Sequence, residues 1–268
     1  VTDADLISAL NAQPLQGDDT ITYGGSRYKR VYFTQYTPEY STLTPDASNS
    51  SQDNNGYYIN TVYWFKFEPV QWRVLSDTNG ELFVLAEKIL ASRAYNQVNA
   101  DVTWETCTMR SWLNNEFYNT AFNSTEQAKI KTSTVVNEDN LWYSTNGGNN
   151  TSDKVFLLSY SEVMNTAYGF SSDYSTYDTA RRTQGSDFAK SNGLWVNTYD
   201  SSYLGNSVWW LRSPGDIPSC TGNVNTYGYV NRDNTYVDYT YVGARPALKL
   251  NPASFIFSAI TESFCPGA

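Results

Sequence analysis

Hydrophobic and polar positions along the chain change their spacing several times, and each change marks an element. Leu6, Ile7 and Leu10 fall on one face behind Thr2, with Asp5 three residues on, which predicts a short helix from Thr2 to Asn11 capped by Thr2. A β-like segment follows from Ile21 to Phe33. From Tyr36 to Gly56 the chain is rich in Ser, Thr, Pro, Asp and Asn and almost free of aliphatic residues. That composition predicts a long surface loop or flexible excursion, the weakest-ordered part of the chain. At Tyr57 the pattern turns to strand: Val62, Trp64, Phe65, Phe67, Val70, Trp72, Val74 and Leu75 alternate, and Leu82 to Leu85 continues as a buried strand.

Helical spacing returns with Met109, Trp112, Leu113 and Phe117, for which Thr103 is the candidate cap, and Ser124 with Gln127 predicts a capping box for a helix toward Ile130. Val155 to Leu158 reads as a strand, and Ser159 with Glu162 as a third capped turn, followed by polar, Tyr-rich chain through Tyr203. The last third is β again: Val208 to Leu211, hairpin-like segments around Val224, Val230 and Val237, then Ala247 to Leu250. Helices inserted between strands predict an α+β fold. The expected organisation is an N-terminal helix, strand and loop over 1–56 packing on a main domain over 57–252, with a tail over 253–268.

Composition narrows the function classes. Hydrophobic residues make up 40% and aromatic residues 16%, with 22 Tyr and 8 Trp, whereas charged residues are only 17%. Polarity therefore comes from Asn, Ser, Thr and Asp, an externally facing palette. A formal charge of −9 repels phosphate backbones and anionic lipid, so nucleic acid and membrane surfaces are not expected partners. No apolar run reaches the roughly eighteen residues of a membrane span, and Val1 to Leu10 lacks the regions of a signal peptide, so the sequence reads as a mature or trimmed chain.

Catalytic parts are scarce. Without histidine there is no Ser-His or Cys-His pair, no imidazole base and no His-containing metal site. Cys107, Cys220 and Cys265 match no CxxC spacing, so at most one pair forms, and Cys107 beside Met109 and Trp112 reads as a buried thiol. Asp216, Asp233 and Asp238 fall in one region, where they are either surface decoration or a paired acid and base of the glycosidase kind. No EF-hand spacing appears, and no metal or cofactor is expected. Arg212 and Arg245, in the strings WWLRSPG and GARPAL, read as structural clamps or as ligand anchors. Adjacent Trp209 and Trp210 point to opposite faces of a strand, one into the core and the other into a neighbouring layer or onto the surface, where it would line a pocket.

Between Asp216 and Gly243, 17 of 28 residues are Asp, Ser, Thr, Asn or Tyr, interleaved with Val224, Val230, Val237 and Val242 as core pegs. Paratopes use this vocabulary, because Tyr gives large amphipathic contact at low entropy cost and short polar side chains adapt their hydrogen bonds. An edge β-meander in a chain that is Tyr- and Asn-rich throughout would read the same way.

Six strings in order carry a family resemblance: NTVYWFKFEPVQWRVLS at Asn60 to Ser76, LAEKIL at Leu85 to Leu90, TWETCTMRSWLNNEFYNTAF at Thr103 to Phe122, KVFLLSYSEV at Lys154 to Val163, WWLRSPG at Trp209 to Gly215 and GARPALKL at Gly243 to Leu250. Together they resemble a domain family of unknown function common in clostridial and other gut Firmicutes. That family is assigned to the C-type-lectin fold, beside the formylglycine-generating enzymes and the variable proteins of diversity-generating retroelements. The resemblance implies a C-type-lectin fold of the formylglycine-generating-enzyme-like variant, with antiparallel strands, two main helices and long loops.

In retroelement-diversified receptors, adenine-directed mutation of codons such as AAC yields Asn, Asp, Tyr, Ser and Thr but never Lys, Glu, Gln, Trp or Met, and none of those five occurs from Asp216 to Gly243. The enzyme branch depends on an active-site cysteine pair, and Cys107 in a helical pattern and Cys220 in the loop-like stretch are not placed together, so that activity is not carried over. What the resemblance implies is a ligand-binding variable protein or adhesin at the cell surface, or on a phage or virion. Its contact face would be Asp216, Ser219, Thr221, Asn223, Asn225, Tyr227, Asn231, Asp233, Asn234, Tyr236, Asp238, Tyr239 and Tyr241, and its partner a protein or glycan. The alternatives are a carbohydrate-binding or carbohydrate-active module, with Asp residues and Trp209 or Trp210 forming a sugar cleft, and a structural module of a larger surface protein.

Overall fold

A computed structural model of the chain describes residues 1–45, 47, 55–78 and 80–251. The tail over 253–268, Cys265 included, and the central part of the Tyr36 to Gly56 loop lie outside the described residues.

Helix α1, Ala4–Asn11, starts one residue later than its sequence signal, because Asp3 and not Thr2 is the cap and accepts from the Leu6 amide at 2.8 Å. The β-like segment after it is a hairpin of two strands, β1 (Thr20–Tyr23) and β2 (Ser26–Val31). Gly24 and Gly25 make the two-residue turn with φ of 55° and 76°, a conformation that glycine adopts without a Cβ penalty. Strand β3 (Tyr63–Lys66) then pairs antiparallel with β2. Leu10, Ile21, Tyr28 and Trp64 form a small core of their own, closed by the Trp64 indole donating to Asn11 at 2.8 Å. The strand-like run that begins at Tyr57 is thus divided between two sheets.

Strands β4 (Trp72–Thr78) and β5 (Glu81–Ala86) form a second hairpin, and β6 (Ala91–Ser92) follows. Helix α2 (Thr108–Trp112) passes through a π-turn at Leu113–Phe117 into α3 (Tyr118–Ala121), burying Met109, Leu113 and Phe117 as their spacing predicts. Its cap is Cys107, whose Sγ accepts from the Arg110 amide, and not Thr103. Helix α4 (Ser124–Gln127) has a reciprocal capping box, but made by Asn123 and Glu126, one residue before the expected pair. Strands β7 (Ser133–Val135), β8 (Thr151–Asp153) and β9 (Val155–Phe156) lead to α5 (Tyr160–Val163), whose box is the expected Ser159 and Glu162. Helix α6 (Asp187–Ser191) precedes the C-terminal strands β10 (Trp209–Pro214), β11 (Cys220–Val224), β12 (Val230–Tyr236), β13 (Gly243–Ala244) and β14 (Ala247–Leu250).

The fold is α+β, with mostly antiparallel sheets and short helices. Two sheets carry the main core: a four-stranded one in the order β4-β5-β14-β9 and a five-stranded one in the order β12-β11-β10-β13-β6. Strand β10 lies in the middle of the second, and Trp209, Trp210 and Leu211 are completely buried. Trp209 donates to the Arg181 carbonyl at 3.1 Å, and Trp210 to the Arg93 carbonyl at 2.9 Å, so each indole nitrogen is satisfied inside the protein. Neither tryptophan reaches the surface, and the expectation that one of them forms a sugar cleft is corrected accordingly.

Candidate functional site

The motif arginines are internal ties. Arg245, wholly buried, donates to the carbonyls of Ala86 at 2.8 Å, Arg181 at 3.3 Å and Glu87 at 3.3 Å, tying the end of β5 and the Arg181 segment to the connection between β13 and β14. Arg212 donates to the carbonyls of Leu157 at 2.7 Å and Val136 at 3.0 Å and pairs with Glu162. Between the ligand-anchor and clamp readings, these contacts are those of clamps.

Residues of the Asp216 to Gly243 stretch take three kinds of place. Thr221, Asn223 and Asp238 are buried at 1%, 2% and 2% exposure and are not on a contact face. For Thr221 and Asn223 the reason is position: β11 lies between β10 and β12, so their polar side chains are satisfied within the sheet. Asp238 lies in the turn after β12, where its backbone is covered by the Tyr40 segment and its Oδ1 has no hydrogen-bond partner among the described residues. Thr221 donates to the carbonyls of Ser213 at 2.6 Å and Leu211 at 3.2 Å, and Asn223 donates to the Thr235 hydroxyl at 2.6 Å. Asn234 and Tyr236 are exposed, on the outer strand β12. Asp216, Ser219, Asn225, Tyr227, Asn231, Asp233, Tyr239 and Tyr241 are half-buried, with part of each side chain open to solvent. The pegs Val224, Val230, Val237 and Val242 are in the core.

At one end of the sheet the β11–β12 hairpin turns through Asn225, whose Oδ1 accepts from the amides of Tyr227 at 2.9 Å and Tyr229 at 3.1 Å. Gly228 has φ of 84°, and a Cβ there would lie 2.0 Å from the Asp178 carbonyl oxygen. Tyr227, held on this tip, stacks on Tyr177 with ring centroids 5.4 Å apart and meets Tyr203 edge-on at 4.7 Å. Arg182 lies 4.6 Å over the Tyr203 ring and donates to the Tyr227 carbonyl at 2.9 Å. Buried Arg181 binds the assembly from behind, donating to the carbonyls of Val163, Asp173 and Gly228 at 2.8, 3.0 and 3.2 Å.

At the other end, Tyr236, Tyr239 and Tyr241 follow one another through centroid distances of 5.8 and 5.1 Å, and Tyr40 packs edge-on against Tyr239 at 5.0 Å. The segment around Tyr40 belongs to the loop expected to be loosely held. Its described part is bolted down: Tyr40 bridges to Tyr239, the Ser41 amide donates to the Asp238 carbonyl at 2.9 Å, and the Thr240 amide donates to the Glu39 carbonyl at 3.0 Å. Burial, then Tyr239 and the carboxylate of Glu39, push the Tyr241 phenol well above its ordinary range, so it stays neutral.

Beside Tyr241 opens a cleft of about 380 Å³, lined by Glu39, Asn55, Gly193, Trp195, Val196, Thr198, Tyr199 and Val208. Its walls are fixed by the Trp195 amide donating to the Tyr241 carbonyl at 2.9 Å and by Asn55 donating to the carbonyls of Leu194 and Lys190 at 2.7 and 3.0 Å. Trp195 is 37% exposed and Tyr199 85%. Of the expected contact residues only Tyr241 reaches this cleft. Glu39, Trp195 and Tyr199, like Tyr177 and Tyr203 at the hairpin tip, lie outside the stretch singled out by composition. The tyrosine density from Tyr168 to Tyr203 was the available signal.

Among the described residues no group of three or more Cys, Asp or Glu side chains is placed to hold a metal ion. Cys107 and Cys220 are both buried and free, and burial first of all pushes each thiol up to about 12. Residues 79–252 match the model of a family described as Domain of unknown function (DUF6273). No curated protein matches the chain, and no solved structure does.

Proposed function

Starting from the chain's membership of the DUF6273 family, a domain of unknown function, we propose that it is a ligand-binding module of C-type-lectin fold, presenting partly exposed tyrosines and short polar residues on a rigid sheet. The observation that carries this reading is the contrast within the five-stranded sheet and its connecting turns. Trp209, Trp210, Thr221 and Asn223 are locked inside, while Tyr227, Asn234, Tyr236, Tyr239 and Tyr241 stand at the ends and outer edge of the same sheet with solvent access. Such a frame lets contact residues change at little cost to the fold. The order of the WWLRSPG and GARPALKL strings, the mixed sheets and the short helices support the lectin-type assignment. Absence of Lys, Glu, Gln, Trp and Met from Asp216 to Gly243 supports diversification by a retroelement and a place on a cell, phage or virion surface.

Burial and ring contacts support a narrower face than the one first expected. Thr221, Asn223 and Asp238 drop out, and Tyr177 and Tyr203 join Tyr227. The test is a glycan array and a displayed-peptide panel, probed with the native protein and with a variant carrying alanine at Tyr227, Tyr236 and Tyr241. Loss of the selected binders in the variant, which still unfolds cooperatively on heating and keeps its native circular dichroism at the assay temperature, is expected. Binders retained at full strength would overturn the assignment.

A further inference from the structure

The cleft beside Tyr241 has a chemistry more specific than the surrounding face. Trp195, Tyr199 and Tyr241 line it together with Glu39, whose negative charge is close enough to act on the Tyr241 phenol. Glu39 is exposed and takes part in none of the ion pairs found among the described residues. Its backbone is nonetheless fixed, since the Thr240 amide and hydroxyl both donate to its carbonyl, at 3.0 and 3.1 Å. Lys190, whose carbonyl takes the Asn55 amide at the cleft wall, directs its own ammonium to Asp187 at 3.3 Å. A concave aromatic surface with an unneutralised carboxylate at its rim attracts a cation on two counts: the negative ring faces and the charge itself. Elsewhere the chain pairs rings with its own cations in this way, as where Arg232 lies 4.9 Å over Trp142 and 4.2 Å over Tyr174. The net charge of −9 draws cations toward the molecule as a whole.

We propose that this cleft binds an alkylammonium group, with Trp195, Tyr199 and Tyr241 on its apolar faces and Glu39 as its counter-ion. The proposal rests on the reading of the chain as a binding module and names the ligand chemistry of one subsite. A neutral sugar would satisfy the rings but leave Glu39 without a charge partner.

The experiment uses the protein labelled with 5-fluorotryptophan, whose ¹⁹F spectrum carries one resonance for each of the 8 tryptophans. The Trp195 resonance is assigned from Trp195→Phe. Choline is titrated at constant ionic strength beside 3,3-dimethylbutan-1-ol, its uncharged isostere. Choline should shift the Trp195 resonance saturably while the alcohol does so at least about tenfold more weakly, and Glu39→Gln should weaken choline by about tenfold, the effect of losing one charge-assisted contact. No shift with choline, equal shifts with the alcohol, or an unchanged choline affinity in Glu39→Gln would each overturn the proposal. A failure here, with panel binders still lost on replacing Tyr227, Tyr236 and Tyr241, would remove the cation subsite and leave the tyrosine face standing.

Discussion

The guanidinium of Arg245 lies 4.9 Å from the ring centroid of Trp209, and neither side chain has any exposed surface. Burial first, then nearby Arg73, pulls the Arg245 pKa down, with Glu87 opposing, so the ring and three carbonyls are what hold a charge at the centre of the protein. Arg245 lies between β13 and β14, at the joint between the two main sheets.

Replacing Trp209 with alanine should therefore cost about 3–5 kcal/mol of unfolding free energy, the usual range for emptying a buried aromatic site. Tyr236→Ala, on an exposed side chain, should stay within about 0.5 kcal/mol of the native protein. Chemical denaturation of both variants measures the contrast. Equal losses would mean that Tyr236 belongs to the frame.

Arg181 holds the hairpin tip to the Tyr177 loop through carbonyls on Val163, Asp173 and Gly228. Arg181→Lys keeps the charge but not the fork of donors, leaving buried carbonyls unsatisfied, and should cost about 2–4 kcal/mol. Amide exchange should rise at Tyr227 and Gly228 before it rises at Trp210. Uniform acceleration would place Arg181 in the general core and detach it from the tip.

Stability should fall in acid partly through Glu81. Burial alone would raise this carboxyl; hydrogen bonds from Lys131 at 2.6 Å and Lys249 at 2.9 Å, with their charges, outweigh it and hold the group below its ordinary value of 4.5. A carboxylate depressed in the folded state contributes its full stabilisation above the unfolded value and loses it as the pH falls through the folded one. Glu81→Gln should be less stable than the native protein near neutrality, and the gap should close on going from about pH 6 to about pH 3. A gap independent of pH would assign Glu81 a packing role only.

Local signals were legible in the sequence where they were self-contained. The Ser159 and Glu162 box, the Met109, Leu113 and Phe117 stripe and the Ala247 to Leu250 strand stand where their patterns put them. Caps slipped by one to four residues because Asp3, Cys107 and Asn123 compete with Thr2, Thr103 and Ser124, and the better-placed acceptor wins. Non-local pairing left no periodic trace: β3 joining β2, and the Tyr40 segment joining the Tyr239 loop, are decisions of tertiary packing. Thr221 and Asn223 look like surface residues in the sequence because a polar side chain satisfied inside a sheet has the same letter as one in water. Trp195 and Glu39, far apart along the chain, become neighbours of one cleft only through the fold.

A frame that stays fixed while its outer residues vary is measured directly by saturation mutagenesis of residues 216–243 in a displayed library sorted by resistance to protease. Asp233, Asn234 and Tyr236 should accept most side chains, whereas Thr221, Asn223, Val224 and Val237 should accept few. Equal intolerance at Tyr236 and Asn223 would contradict the fixed frame.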